Sequence, residues 1–388
     1  MSTSEPTTDQ ARWTPTVRGH LPALDGLRGV AILLVIVSHY LGPYWRSATV
    51  GWTGVNLFFV LSGFLITGIL LDSKSKPHYF RNFYARRTLR IFPIYYLSLA
   101  LMFLVAPLFA SLNTEGFQAV AQHQWWLWAY LMNFKIGLGS SLGGENFFAN
   151  DWIQTLHFWS LCVEEQFYLI WPAVVLFCGR RSLLAITCIA FVGAWALRAY
   201  FVLQTPYDMA GYFLMPCRMD DLAAGAFVAI VARSPEGLQK LRACAPWTTI
   251  LALWVLLGGW LAIGDFFQLD GDVQLVCYSA FALLYASALV FALTLRPGNL
   301  FVRAMSWGPL RSYGKYSYAI YIFHWSLSGL LFARIAPLDG LEERLGSLNA
   351  ALWARVLIVA AVSYGLAFLS WHAFEKHFLG FKNRFYSD

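Results

Sequence analysis

The chain has 388 residues, of which 58% are hydrophobic and only 13% charged, with a mean hydropathy of +0.54. Soluble domains carry roughly 25% charge, so a soluble globular protein is excluded. The formal charge of +7 does not point to nucleic acid, because the basic residues fall in short loops between apolar runs, as the positive-inside rule expects.

In chain order, residues 1–20 are polar, with Pro and Thr, and read as a disordered cytoplasmic tail. The first span is 22–41, ended by Gly42 and Pro43. The second, 51–71, contains GVNLFFVLSGFLITG, whose small residues suit close helix packing. Residues 72–90 hold Lys74, Lys76, Arg81, Arg86, Arg87 and Arg90, the densest basic cluster, which assigns that loop and the N-terminus to the cytoplasm. A third span, 91–111, opens at Pro93. The run WWLWAYLMNF at 125–134 is apolar but short. Counted as a span, it would put Arg180–Arg181 and every later basic loop outside. Read as interfacial or re-entrant, it leaves them all inside and the acidic loop with Asp265, Asp270 and Asp272 outside. The remaining spans are 157–178, 182–203, 213–232, 247–264, 274–295, 316–333 and 351–372. The expectation is an all-α polytopic membrane protein of about ten transmembrane helices with an additional interfacial or re-entrant segment. Both termini are cytoplasmic, with a tail at 1–20, one transmembrane domain at 21–378 and a short cytoplasmic tail at 379–388. The cysteines at 162, 178, 188, 217, 244 and 277 show no paired spacing and read as small core residues.

The first span carries the sharpest signal. In PALDGLRGVAILLVIVSHYLGP, Arg28 and His39 lie eleven positions apart. At about 100° and about 1.5 Å per residue they share one helix face, roughly 16 Å apart along the axis. They are two stations on one path through the bilayer. The competing reading is interfacial anchoring of each. An Arg, ten residues, then a His within LDGLRGVAILLVIVSH resembles the membrane-bound acyltransferase-3 family, whose members O-acylate glycans and some small secreted molecules.

Further motifs extend the resemblance. In FYARRTLRIFPIYY, Arg87 and Arg90 share a helix face and suit bidentate phosphate contacts. On charge alone, topology determination and lipid headgroup contact compete with that. The R-x-x-R spacing is similar to the family pattern linked to the acyl-CoA donor, which implies donor binding by Arg86, Arg87 and Arg90. In HFWSLCVEEQFYLIWP, two adjacent carboxylates are costly in an apolar run unless one faces a cavity or partner. Glu164 and Tyr168 share a face, and Glu165 points elsewhere. The family motif WSLxxExxxY falls on Trp159, Ser160, Leu161, Glu164 and Tyr168. An ion pair between Glu164 and an arginine of a neighbouring helix is the structural alternative. In CRMDDLAAG, Arg218 and Asp221 are placed for a structural i, i+3 pair. His324 sits near the midplane of its span, at a point where the family often has a histidine, and no chemical step is assigned to it. Glu375, also at a family glutamate position, is a candidate partner for the arginine cluster.

No HExxH, GxSxG or Walker pattern is present, and no metal is expected. The resemblance runs from about Leu21 to Glu375. It implies a bacterial inner-membrane enzyme that moves an acyl group, acetyl by preference, from cytosolic acyl-CoA to a hydroxyl of an extracytoplasmic glycan such as an exopolysaccharide or its lipid-linked precursor. The expected catalytic residues are His39 as base, Arg28 for the CoA arm or the developing negative charge, and Glu164 to orient the imidazole or the acceptor. Arg86, Arg87 and Arg90 are expected to hold the donor, and Tyr168, His324 and His157 to bind the substrate. Partners are the lipid bilayer, the glycan or lipid-linked sugar acceptor and polysaccharide-assembly proteins. The rival readings are a transporter or flippase of a glycan or lipid-linked sugar, and acylation of a macrolide-like secreted metabolite.

Overall fold

The computed structural model describes residues 19–141, 149–150, 152–204, 209–326 and 328–385. The expected N-terminal tail lies outside these, except for Gly19 and His20. A long apolar run in a bilayer must satisfy its backbone internally, and a helix occupies each apolar run read as a span. These are α1 (Pro22–Leu41), α2 (Gly54–Ser73), α3 (Tyr79–Ala100), α4 (Trp159–Phe177) and α5 (Arg180–Gln204). Then come α6 (Met219–Ala232), α7 (Gly237–Ile263), α8 (Tyr278–Thr294), α9 (Gly308–Ser326) and α10 (Leu348–Ser370). Among the described residues, 7 helices are long and apolar enough to cross a membrane. This is a multi-pass membrane protein. By contrast, α8 has 17 residues and α6 has 14.

Helix starts differ from the hydropathy boundaries. The third helix begins at Tyr79 and carries Pro93 inside it, rather than opening there. Helices α7 and α9 likewise start well before their apolar runs. Hydropathy marks the part that lies in lipid, whereas Lys and Arg are good helix formers, so basic turns extend the helix beyond it. The basic cluster at 86–90 is therefore held on a rigid rod.

The run 125–134 forms no long helix. It is split between short helices Gln124–Trp128 and Met132–Ser141, with Tyr130 between them at φ 55°. Its chain is pinned to its neighbours. Tyr95 and Tyr96 of α3 donate to the carbonyls of Leu127 (2.7 Å) and Trp128 (3.2 Å), and Gln166 of α4 donates to the Tyr130 carbonyl (3.0 Å). Side chains of flanking helices thus satisfy backbone groups that the broken helix leaves free. The only regular pairing among the described residues besides the helices is a two-residue antiparallel hairpin, Ala149–Asn150 against Ile153–Gln154.

Helix directions follow from the contacts. Arg28 meets Ser317 at one end of α1 and His39 meets His324 at the other, so α1 and α9 run parallel. Their approach is close: a Cβ on Gly314 would run into the Asp25 carbonyl. Helices α2 and α4 also run parallel, with Phe59 against Trp159 and Thr67 bonded to Trp171. In α2, Gly63 lies where a Cβ would meet the Leu222 backbone of α6, the close packing its small residues predict.

The loops sort by charge. Arg46 and Asp265 pair at the end of the bundle near His39. At the opposite end Arg233 pairs with Asp72 (2.7 Å), Lys74 donates to the Cys178 carbonyl (2.8 Å) and Arg180 to the Ile230 carbonyl (3.0 Å). The cysteine expectation is corrected in part. Cys162, Cys217 and Cys277 are buried, but Cys188 and Cys244 are exposed on α5 and α7. Outward faces of membrane helices are as apolar as their cores, so apolar context alone cannot separate the two.

Candidate active site

Three cavities run in series along α1. The first opens at its N-terminal end and is lined by His20, Asp25, Arg28, Arg90, Arg311 and Lys315, among others. Among the described residues, the buried Nε of Arg311 has no hydrogen-bond partner. The second, an arginine chamber, is lined by Arg28, Arg87, Arg90, Glu164, Glu165 and Tyr168, with Ser62 and Ser317 beside them. The third, a histidine chamber, is lined by His39, His157, Trp52, Trp159, Tyr212 and Trp325. Neighbouring cavities share walls: Arg28 and Arg90 border the first two, and Val55 and Tyr321 border the second and third.

The arginine chamber is built by five helices, α1, α2, α3, α4 and α9, and on α3 and α4 its polar residues recur at helical spacing. From α3, Arg87 and Arg90 both face it, as the three-residue spacing requires. From α4 come Glu164 and Tyr168, and Tyr168 and Ser62 share a hydrogen bond of 2.5 Å. Arg87 lies over the Tyr168 ring, 5.4 Å from its centroid. The Nε of Arg28 donates to Ser317 at 3.3 Å. Among the described residues, no ion pair joins Glu164 to an arginine. Glu165 also borders this chamber, against the expectation that it points elsewhere. Guanidinium groups with donors to spare, a carboxylate and a phenol can receive an anion from the open end.

The histidine chamber brings together three histidines from three helical segments. His39 Nδ1 lies 2.9 Å from His324 Nε2, and His324 Nδ1 lies 2.7 Å from the Tyr321 carbonyl. His157 packs edge-on against His324 at 5.0 Å between ring centroids, and its Nε2 approaches the Ile322 carbonyl at 3.3 Å. His157 and His324 are buried, while His39 is half-buried at the chamber wall. The Trp325 ring lies 4.0 Å from His39. An imidazole beside an aromatic-walled cavity can accept a proton from a sugar hydroxyl and hold the ring against an indole face.

The predicted site residues therefore divide. Arg28, Glu164, Tyr168, Arg87 and Arg90 share one chamber, and His39 and His157 line the other, with His324 packed against both behind its wall. Because α1 is one continuous helix, Arg28 and His39 do not meet the same reacting atom. The residue within hydrogen-bond distance of the His39 imidazole is His324, and Glu164 lines the other chamber. Arg86 stands apart, since its Nε donates to the Asn82 carbonyl of its own helix at 3.1 Å. Glu375 accepts from Ser370 at 2.8 Å rather than closing an ion pair with the arginines.

Sequence reasoning misses three charged residues: Arg311 of the first cavity, Lys382 and Arg198. Lys382, in the turn Phe381–Phe385, lies beside the arginine cluster. Its burial and the nearby Arg90, Arg87 and Arg86 push the amine down to about 8. In the sequence it reads only as topology-determining charge, and no spacing rule links it to residues some 300 positions earlier. Arg198 is missed although it is the single charged residue within 182–203 and so carries a signal. It is fully buried. It donates to the carbonyls of Gln274 (3.1 Å) and Cys217 (2.5 Å), to Asp220 (2.7 Å) and to Ser279 (2.8 Å). The expected Arg218–Asp221 pair forms at 3.1 Å, with Asn56 donating to Asp221 at 3.1 Å. Arg218 is enclosed by the rings of Trp52, Phe59, Trp159, Tyr212 and Tyr278, behind the wall of the histidine chamber.

Fold and site together define a multi-pass helical membrane protein with a basic entrance at one end and a histidine-bearing chamber at the other. The chain belongs to the acyltransferase-3 family: the profile Acyl_transf_3, an acyltransferase domain, matches residues 21–372. It is 29% identical over 379 residues to the candidate peptidoglycan O-acetyltransferase YrhL of Bacillus subtilis (strain 168), covering 92% of this chain and 54% of that protein. It is 26% identical over 323 residues to the O-acetyltransferase OatA of Staphylococcus aureus (strain NCTC 8325 / PS 47), covering 79% and 50%. The peptidoglycan O-acetyltransferase OatA of Listeria monocytogenes serovar 1/2a is 27% identical over 417 residues, covering 97% and 60%. The chain thus spans between half and three-fifths of these relatives' length. No solved structure matches it.

Proposed function

We propose that this protein is an acyl-CoA-dependent O-acyltransferase of a bacterial inner membrane, moving an acetyl group from cytosolic acetyl-CoA to a hydroxyl of an extracytoplasmic glycan. The observation that carries the reading is the series of three cavities along α1, with cations at the entrance and His39 at the far end. In this reading the CoA phosphates rest on Arg87, Arg90, Arg311 and Lys382, and the thioester arm passes Arg28 toward His39. The hydroxyl oxygen attacks the thioester carbonyl carbon as its proton goes to His39. The C–S bond then breaks, and His39 returns the proton to the CoA sulfur. Trp52, Trp159 and Trp325 offer apolar faces to sugar C–H groups. Relatives named as peptidoglycan O-acetyltransferases favour a cell-envelope glycan, with peptidoglycan ahead of an exopolysaccharide or its lipid-linked precursor. The proteins that assemble that glycan are the expected partners.

The reading includes about ten crossings with both termini cytoplasmic. Parallel α1 and α9 support it, since they require an even number of crossings between the start of one and the start of the other. Counting 125–134 as a crossing would make that number odd. The clustering of Lys74, Arg180 and Arg233 at the entrance end supports a cytoplasmic entrance.

The test is free-thiol release from acetyl-CoA by purified protein in lipid vesicles, with cell-envelope glycan as acceptor. Acceptor-dependent release is expected, lost by about 10³-fold or more in His39→Ala. No release with any acyl-CoA, together with no CoA binding by titration calorimetry, would overturn the reading and favour a glycan transporter.

A further inference from the structure

His324 is buried, belongs to no step of the mechanism above and touches the residue at its centre. Its two nitrogens have different neighbours, and the difference fixes where protons sit. A backbone carbonyl can only accept, so the 2.7 Å contact to the Tyr321 oxygen requires a proton on His324 Nδ1. In a neutral imidazole the other nitrogen is then an acceptor. His324 Nε2 is that nitrogen, and the atom it faces at 2.9 Å is His39 Nδ1, which must therefore carry the hydrogen. The two ring planes are parallel to within 5°, and with the centroids 5.0 Å apart and the nitrogens 2.9 Å apart the nitrogens lie close to the line joining the centroids, so the contact runs edge to edge, along the directions of N–H and lone pair. His39 Nε2 is left as the unprotonated nitrogen.

The support of His324 is itself rigid. Its carbonyl accepts from Tyr40 at 2.6 Å, which locks the turn carrying it to α1 one residue from His39. His157 flanks the ring and binds the carbonyl of Ile322, and the Tyr321 hydroxyl donates back to the His157 carbonyl at 2.9 Å. Three helical segments thus hold one acceptor atom in place.

We infer that His324 is the positioning residue of His39: by accepting from Nδ1–H it selects the tautomer whose Nε2 can take a proton, and it holds the ring as charge develops on it. The inference rests on His39 being the base of the proposed transfer. When the acceptor hydroxyl gives its proton to His39 Nε2, the imidazolium keeps Nδ1–H bonded to the neutral His324 Nε2. When that proton passes to the departing sulfur, the starting tautomer is restored and His324 has neither gained nor lost a proton. A histidine here does for His39 what a carboxylate does in a Ser-His-Asp triad, without placing a second charge in an apolar site.

The experiment has two parts. In vesicles, His324→Leu is expected to lower kcat by on the order of 10²-fold or more, with the KM for acetyl-CoA within twofold of wild type. His324→Gln, whose amide oxygen can accept from Nδ1–H, is expected to recover at least tenfold of that loss. A merely structural role would not give rescue by an acceptor alone or a loss confined to kcat. In parallel, ¹⁵N-histidine NMR of the wild-type protein in lipid discs, with His39→Gln for assignment, should show His39 protonated on Nδ1, with coupling across the bond to His324 Nε2. A His39 signal protonated on Nε2 would overturn the proposal, as would His324→Leu turning over at the wild-type rate, or Gln and Leu variants equally impaired with normal acetyl-CoA binding. If wild type releases no thiol, the transferase reading fails, and the NMR result still decides the tautomer. If wild type is active, His39→Ala is dead and His324→Leu is unimpaired, only the positioning role fails.

Discussion

Arg198 and Arg218 on one side of the bundle and Arg28, Arg87 and Arg90 on the other are all cations among apolar helices, yet they are treated in opposite ways. Arg198 has every direction of its fork answered, by two carbonyls, a carboxylate and a hydroxyl. Arg218 has its charge answered by Asp221 through Nη2 and is enclosed by aromatic rings, with its Nε and Nη1, among the described residues, turned to ring faces rather than to hydrogen-bond acceptors. Arg28 keeps one 3.3 Å contact to a serine, and Arg87 rests on a tyrosine ring. Among the described residues, Arg90 takes no hydrogen bond or ion pair. A buried charge must be neutralised by something. In the closed group the protein does this itself, whereas the open group borders cavities that connect to solvent. Charge in a span therefore does not by itself mark function; where the partner comes from does.

The comparison breaks most visibly at Arg198. Replacing it with Leu strands Asp220 in an apolar interior, an effect of about 3–5 kcal/mol on stability. The expected result is a large loss of thermal stability in detergent, measured by intrinsic fluorescence, with acetyl-CoA affinity unchanged in whatever fraction stays folded. A variant as stable as wild type would show the closed network to be dispensable. The pair Arg87→Ala and Arg90→Ala should do the reverse. Removing two charge-assisted hydrogen bonds to a phosphate ligand predicts a 10- to 100-fold weaker affinity for CoA, on the order of 1.5–3 kcal/mol, with the melting temperature little changed. Arg86→Ala, whose guanidinium is tied to its own helix, should weaken CoA binding by less than about threefold. Titration calorimetry on the three proteins orders them, and equal effects from Arg86 and from Arg87 with Arg90 would erase the distinction the geometry draws.

Much of this is legible in the residues alone. Helical periodicity places Arg87 with Arg90 and Glu164 with Tyr168, because a spacing of three or four fixes a shared face wherever the helix sits. The i, i+3 pair of Arg218 and Asp221 is legible for the same reason. The balance of basic loops sets aside 125–134, and its broken helix agrees. Anything that depends on which helix lies beside which is not legible. Periodicity gives His324 a depth but not its contact with His39, 285 residues away. It gives Lys382 no neighbours at all. Glu164 and His39 are linked by shared chemistry rather than by any rule of distance, and packing puts them in separate chambers. Hydropathy misjudges helix ends where basic turns carry a helix out of the apolar region, as at Tyr79.

The smallest effect tests the open group at its edge. Lys382 sits among Arg86, Arg87 and Arg90 with its amine pushed down to about 8. An amine in the unfolded chain ionises near 10.4, so its folded value is depressed. A protonated Lys382 therefore opposes folding at neutral pH, and that opposition is relieved as pH rises from about 8 toward about 10.4. Unliganded protein should accordingly gain a little thermal stability over that range, relative to Lys382→Met. A bound phosphate has the opposite preference, because it favours the ammonium. Affinity for CoA should then fall as pH rises through about 8, by roughly three- to tenfold between pH 7 and pH 9, and Lys382→Met should remove most of that dependence. Opposite slopes for stability and for binding in the same protein are what an unanswered cation awaiting an anion produces. Parallel slopes, or a pH dependence that survives in Lys382→Met, would mean that Lys382 is already satisfied by the protein and belongs with Arg198 instead.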